Sequence, residues 1–347
     1  MNLNLIGNGF DLYHGLPSSY YYYGCYLLEK YPDVYEEMSK WFNFRIVLSY
    51  RGYPLEDVEY GVESQFWSVF EERLGIVDDT AIVETYDHDL GLEIEDYDIP
   101  MEDDLLAERI KETFREWVCE TLEREDNYKI IESSISKSLH RANYKMDFGE
   151  NDRFLVFNYT HALQKIYGVD DWNIHYVHGE CTGDDSDELI IGHRNKKYME
   201  EVREQIRKYE NRALYQIERT RKLEYECLLR LLRRLEKNVE QTMEMVEWSY
   251  ERFQSEPQKI NVYGMSLGEV DYPYFEQIRE RWPNAKWNFS YFSDKDKAAI
   301  NTIVKKLGLP QNQYSEFRFC NSEAQAIANE IIENLGIATY LDEDLRM

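Results

Sequence analysis

The residues whose types and spacing suit chemistry sit at the start of the chain, where Gly7-Asn8-Gly9-Phe10-Asp11 follows the apolar run of Leu3, Leu5 and Ile6. A glycine lacks Cβ, so the backbone at Gly7 and Gly9 can approach a bound anion closely. The amides of Asn8, Gly9 and Phe10 are expected to converge on a diphosphate, with Asp11 or Asn8 hydrogen-bonding a sugar or holding the loop closed. A branched side chain at Gly9 is then expected to block the diphosphate without harming the fold. The full dinucleotide fingerprint is not met, and a tight strand-to-helix turn explains the same residues. Gly15-Leu16-Pro17 repeats the turn chemistry and opens a tyrosine-rich segment.

Polar residues also close later apolar runs. Residues 153–157 end at Asn158-Tyr159-Thr160-His161, residues 173–177 at His178-Gly179, and residues 188–191 at Gly192-His193. Three strands ending this way place polar groups on one edge of an α/β sheet, where ligands bind beyond the strand ends. His175 and His178 are three apart, which on a strand points them to opposite faces, so no metal site is expected.

The elements that must position these residues follow from periodicity. Helices are expected at 18–35, with an interruption at Gly24 and a stop near Pro32, and at 35–50, 64–74, 105–122 and 128–139. Tyr20 to Tyr23 suit either a pocket wall or an aromatic core. Residues 75–104 are acidic with no Lys or Arg and read as a solvated, partly ordered loop, whose spacing matches no calcium loop. Residues 195–255 hold no Gly or Pro and suit a helical hairpin or arm, where Leu223, Leu228, Leu231, Leu232 and Leu235 could form an oligomer seam. Strands at 259–263, 286–292 and 316–319 alternate with helices at 272–281, 294–307 and 322–335. The expected fold is α/β, with a Rossmann-like, mostly parallel sheet. Its core is assembled from 1–19, 150–195 and 257–347, with a helical insertion at 20–149 and an arm at 196–256.

The chain has 347 residues and a net charge of -27, from 67 acidic against 40 basic side chains. That field opposes phosphate backbones unless a local basic patch overrides it, so nucleic acid is not an expected partner. Five cysteines without a Cys-x-x-Cys pair argue against a zinc ribbon and a disulfide framework, and favour a reducing cytoplasm. No apolar run is long enough to span a membrane.

The stretch from Asn4 to Leu12, Phe157-Asn158-Tyr159-Thr160, Val177-His178-Gly179 and Gly264-Met265-Ser266-Leu267 through Asp271 together resemble the abortive-infection AbiH family of bacterial anti-phage proteins. More distantly, the chain is similar to the sirtuin-like NAD-binding fold. That resemblance implies NAD as substrate or ligand. It puts Gly7, Asn8, Gly9, Phe10, Asp11 and Gly15 in the phosphate loop and Gly264-Met265-Ser266-Leu267 near the adenosine ribose, with Asp271 of the same stretch also expected to bind the cofactor. It puts Asn158 in the nicotinamide pocket and His178 at that family's histidine, with Thr160 near the place of an aspartate. The four-cysteine zinc module of sirtuin deacylases is missing, which speaks against deacylation. Cleavage of the nicotinamide–ribose bond passes through an oxocarbenium-like state, for which Asn158 would position the reactants and His178 accept a proton. The alternatives are a non-catalytic nucleotide sensor and a nuclease-like effector. A nuclease would show a carboxylate–metal cluster or a basic groove.

Overall fold

Strand β1, Asn2–Ile6, lies at the centre of a six-stranded sheet with β2 (Arg153–Val156), β3 (Ile174–Tyr176), β4 (Lys259–Tyr263), β5 (Lys286–Tyr291) and β6 (Tyr314–Arg318). The spatial order is β3-β2-β1-β4-β5-β6 and every pairing is parallel. This is the doubly wound Rossmann order, which reverses between β1 and β4. The structure is a computed structural model and describes residues 1–44, 47–50, 58–61, 66, 69–77, 102–137, 145–184, 188–210, 216–251, 253 and 255–337.

Alternation along β1 assigns the two faces. Leu3 and Leu5 enter one buried cluster with Leu155, Ile260, Val262 and Phe289, covered by the helices Val239–Tyr250, Tyr272–Arg281 and Asp294–Lys306. Ile6 enters the other with Phe154, Val156 and Ile174, under the helices Glu125–Lys137 and Ala324–Leu335. A fully buried Leu or Ile contributes about 1.5–3 kcal/mol, so β1 is fixed by burial on both sides. On the second face a polar pair crosses the sheet, where Asn261 Nδ2 donates to Asn4 Oδ1 at 2.8 Å.

The chain packs as two units. One joins Met1–Ser19, Arg115–Ile190 and Asn238–Gly336 and contains the sheet; the other includes Tyr20–Phe114 and Ile191–Lys237. These bounds depart from the expected ones. The Glu125–Lys137 helix belongs to the sheet's core through Tyr128, Ile131 and Ile135, and the Val239–Tyr250 helix through Val239, Val246 and Tyr250.

In the second unit, Gly24 does not interrupt the helix Tyr20–Lys30, and Pro32 opens the next, Pro32–Phe42. That helix ends because Asn43 adopts φ 47, a left-handed cap, so the expected continuation to 50 is replaced by an antiparallel pair, Val47–Tyr50 with Val58–Gly61. Tyr23 is buried and its hydroxyl donates to Ile110 O at 3.0 Å, which makes it core. Of the expected helix at 64–74, Phe70–Arg73 is seen; most of the acidic stretch, 78–101, lies outside the described residues. The arm resolves into Lys196–Glu210 and Gln216–Arg234, an antiparallel pair in which Tyr209 stacks on Tyr225, and then breaks. His193 pairs with the backbone of Leu235 and Lys237, and Asn238 caps the helix that follows. Leu228, Leu231, Leu232 and Leu235 are fully buried within the chain, which removes them from an oligomer seam.

Residues 188–191 form no strand. Leu189 and Ile191 are buried, but among the described residues the segment bonds β3's extension through the single contact of Ile190 N–H to His178 O, since Gly179, at φ 84, turns the chain away first. Among the described residues no helix is long and apolar enough to cross a membrane.

Candidate functional site

The segments that follow β1 and β2 bring together Asp11, Asn158 and Thr160. Asp11 is fully buried; Asn158 Nδ2 donates to its Oδ1 and Thr160 Oγ1 to its Oδ2, each at 2.7 Å. Loss of solvation raises the Asp11 pKa from its ordinary 3.8 to about 7, the two hydrogen bonds oppose the rise, and the charge of Glu123 adds to it. Asn158 is 4 % exposed, and its Oδ1 has no hydrogen-bond partner among the described residues.

The folded chain therefore keeps a proton on Asp11 that the unfolded chain releases above about pH 4. Stability present at low pH is lost as pH rises through about 7, by up to about 4 kcal/mol. Asp11→Asn fits the same space, accepting from Asn158 and donating to Thr160. Melting curves from pH 5 to 8 should fall less steeply for this variant than for the wild type; parallel curves would contradict the assignment.

Beside this group lies a cluster that sequence reasoning missed. His161 Nδ1 pairs with Glu123 Oε2 at 2.8 Å and its Nε2 with Glu180 Oε2 at 3.4 Å, while the His161 amide donates to Glu123 Oε1. Burial works against charge on the ring, but Glu123 and then Glu180 outweigh it and raise its pKa. Tyr128 donates to Glu123 Oε1 at 2.6 Å, and Tyr176 to Thr160 O at 3.1 Å. Glu123 directly follows a π-helical stretch, Trp117–Leu122, and a second, Leu163–Tyr167, begins two residues past His161. Single-turn departures of this kind concentrate at functional sites. Cys119, within the first stretch, forms a disulfide with Cys181, next to Glu180. This bond ties the bearers of both glutamates together and runs against the expectation, drawn from scattered cysteines, of no disulfide framework and reducing surroundings. The polar tail behind residues 153–157 was the one visible signal for His161.

The remaining residues are placed as follows. His178 is 3 % exposed, and its Nδ1–H donates to Phe157 O at 3.1 Å, leaving Nε2 as the basic nitrogen. Asn8 Nδ2 donates to Ser18 O at 3.0 Å and closes the loop. The Gly9 amide donates to Gly264 O at 2.8 Å and the Phe10 amide to Gly7 O at 2.9 Å, so two of the three amides expected on a diphosphate are engaged. A Cβ on Gly9 would stand 2.7 Å from Gly264 Cα, and one on Gly7 2.6 Å from Gly264 O. The glycines thus let two backbone loops touch at the β1/β4 switch point, and a valine at Gly9 would disturb the fold itself. Gly15, at φ 84, packs on Ile327, and Phe10 is core, its ring 4.6 Å from that of His14. Burial lowers the His14 pKa to about 4, so it is neutral, donating to Phe10 O and accepting from Tyr167. Ser266 is exposed, and Asp271 sits at the N-terminus of the Tyr272–Arg281 helix; Gly264 and Leu267 between them take φ 61 and 56. Among the described residues no three His, Cys, Asp or Glu side chains are grouped to hold a metal ion.

No curated protein matches the sequence. A family model, bacteriophage abortive infection AbiH, matches residues 3–291, from Leu3 within β1 to the end of β5. With that span covered, the chain belongs to the AbiH abortive-infection family.

Proposed function

We propose that this protein acts in anti-phage defence by binding an NAD-type dinucleotide at the carboxyl edge of its sheet and hydrolysing the nicotinamide–ribose bond. The observation that carries the reading is the buried Asp11–Asn158–Thr160 group, which leaves Asn158 Oδ1 as an acceptor without a donor among the described residues. A buried amide oxygen left this way costs about 1–3 kcal/mol, and a donor arriving with the ligand, such as a carboxamide N–H or the attacking water, would recover it. In the hydrolysis the ribose C–N bond breaks with its electron pair leaving on nicotinamide. A water oxygen bonds to the ribose carbon, and the water proton passes to a base. His178 Nε2 is the proton acceptor in this scheme, its ring fixed by the Phe157 carbonyl. The carboxylates of Glu123 and Glu180, with the fraction of Asp11 that is ionised, favour the positive charge that develops on the ribose.

The second reading, a pocket that holds the nucleotide without cleaving it, draws on the deep burial of His178. Both readings place the protein with its nucleotide in the cytoplasm. Measuring NAD and free nicotinamide in infected cells separates them. Equal loss of one and gain of the other supports hydrolysis. Unchanged NAD with saturable binding to the purified protein supports the sensor, and absence of both overturns each.

A further inference from the structure

The helices Lys196–Glu210 and Gln216–Arg234 flank an open cavity of about 350 Å³, lined by Arg203, Arg207, Arg230 and Arg233 together with Ile206, Leu229 and one carboxylate, Glu226. On each helix the two arginines are one turn apart, so their side chains share a face, and the antiparallel pairing sets the two faces against each other. Four arginines against one glutamate in the lining run against a chain whose net charge is -27. The nearby carboxylates are modestly held. Glu200 bridges Arg203 and Arg207 at 3.0 Å each, and Glu226 pairs with Lys222 at 3.4 Å, in surroundings where exposed ion pairs are worth about 0–1 kcal/mol. A phosphate offers guanidinium forks bidentate acceptors and more charge than one carboxylate, so it can displace Glu200.

We propose that this cavity is a second ligand site, separate from the sheet edge, and that it binds a compact oligophosphate such as a nucleoside di- or triphosphate. Its volume lies at the lower end of small-molecule pockets, about 300–1,000 Å³. A small ligand meets a wall in which arginines outnumber carboxylates, whereas a nucleic-acid strand would run on into the protein's negative field.

The test is calorimetric titration of the full-length protein with inorganic tripolyphosphate, ATP and a short single-stranded DNA. Tripolyphosphate and ATP should bind, more weakly as salt rises, and Arg203→Gln with Arg230→Gln should reduce affinity at least about tenfold, the scale of one or two charge-assisted contacts. Asn158→Ala should leave tripolyphosphate binding unchanged, which separates this site from the proposed nucleotide site. Arg203→Lys with Arg230→Lys keeps the charge and loses the fork, and should also weaken binding. If the glutamine pair fails to fold, the lysine pair decides: weakened binding supports the site, and wild-type binding overturns it. No binding to the wild type at millimolar tripolyphosphate, or tighter binding of DNA, also overturns the proposal.

Discussion

Asn158→Ala is expected to slow nicotinamide release in infected cells by about 10²–10³, the usual effect of removing one hydrogen-bonding group that acts in the transition state. The variant loses Oδ1, the acceptor proposed to meet the ligand, and also Nδ2, which bonds Asp11. The second loss is structural, so a comparison is needed that isolates the first. Thr160→Val removes the other 2.7 Å bond to Asp11 and leaves Asn158 in place. Both variants should lose stability, each by about 1–3 kcal/mol for a buried acceptor deprived of a donor. Only Asn158→Ala should lose turnover by two orders of magnitude. Equal loss of turnover in the two variants would mean that Asn158 acts merely by supporting Asp11.

Gly264→Val is expected to destabilise the protein by about 3–5 kcal/mol, combining left-handed backbone strain with overpacking. Gly264 has φ 61, and a Cβ there would lie 2.4 Å from Gly9 C and Phe10 N, both backbone atoms that cannot swing aside. Against a total stability of about 5–15 kcal/mol, this removes much of the folded population. Gly168→Ala supplies the contrast. That residue has φ 69, and a Cβ added there would meet no atom of the described residues within 4 Å, so it should cost only the strain, about 1–2 kcal/mol. Urea midpoints measure both, and a Gly264→Val midpoint no lower than that of Gly168→Ala would refute the interlocked-loop account.

The α/β class, the central strand and the polar strand ends at Asn158, Thr160 and His178 were legible in the sequence. Burial on both faces leaves a continuous apolar run, and a parallel strand must end in a turn that carries polar residues or glycine. Periodicity gave less at residues 188–191, because a short apolar run reports burial and not the partner that would make it a strand. It also gave no warning of the arm's break near Lys237, where Asn238 was the one local mark. The site's working contacts came only with tertiary structure. Asp11 meets Asn158 and Thr160 across 147 and 149 residues, and His161 meets Glu123 across 38. Local spacing fixes which way a side chain leaves its strand or helix. What waits there, whether a carboxylate, a carbonyl or another loop's glycine, depends on how distant segments pack, and so do the raised pKa of Asp11 and the closed contact between Gly9 and Gly264.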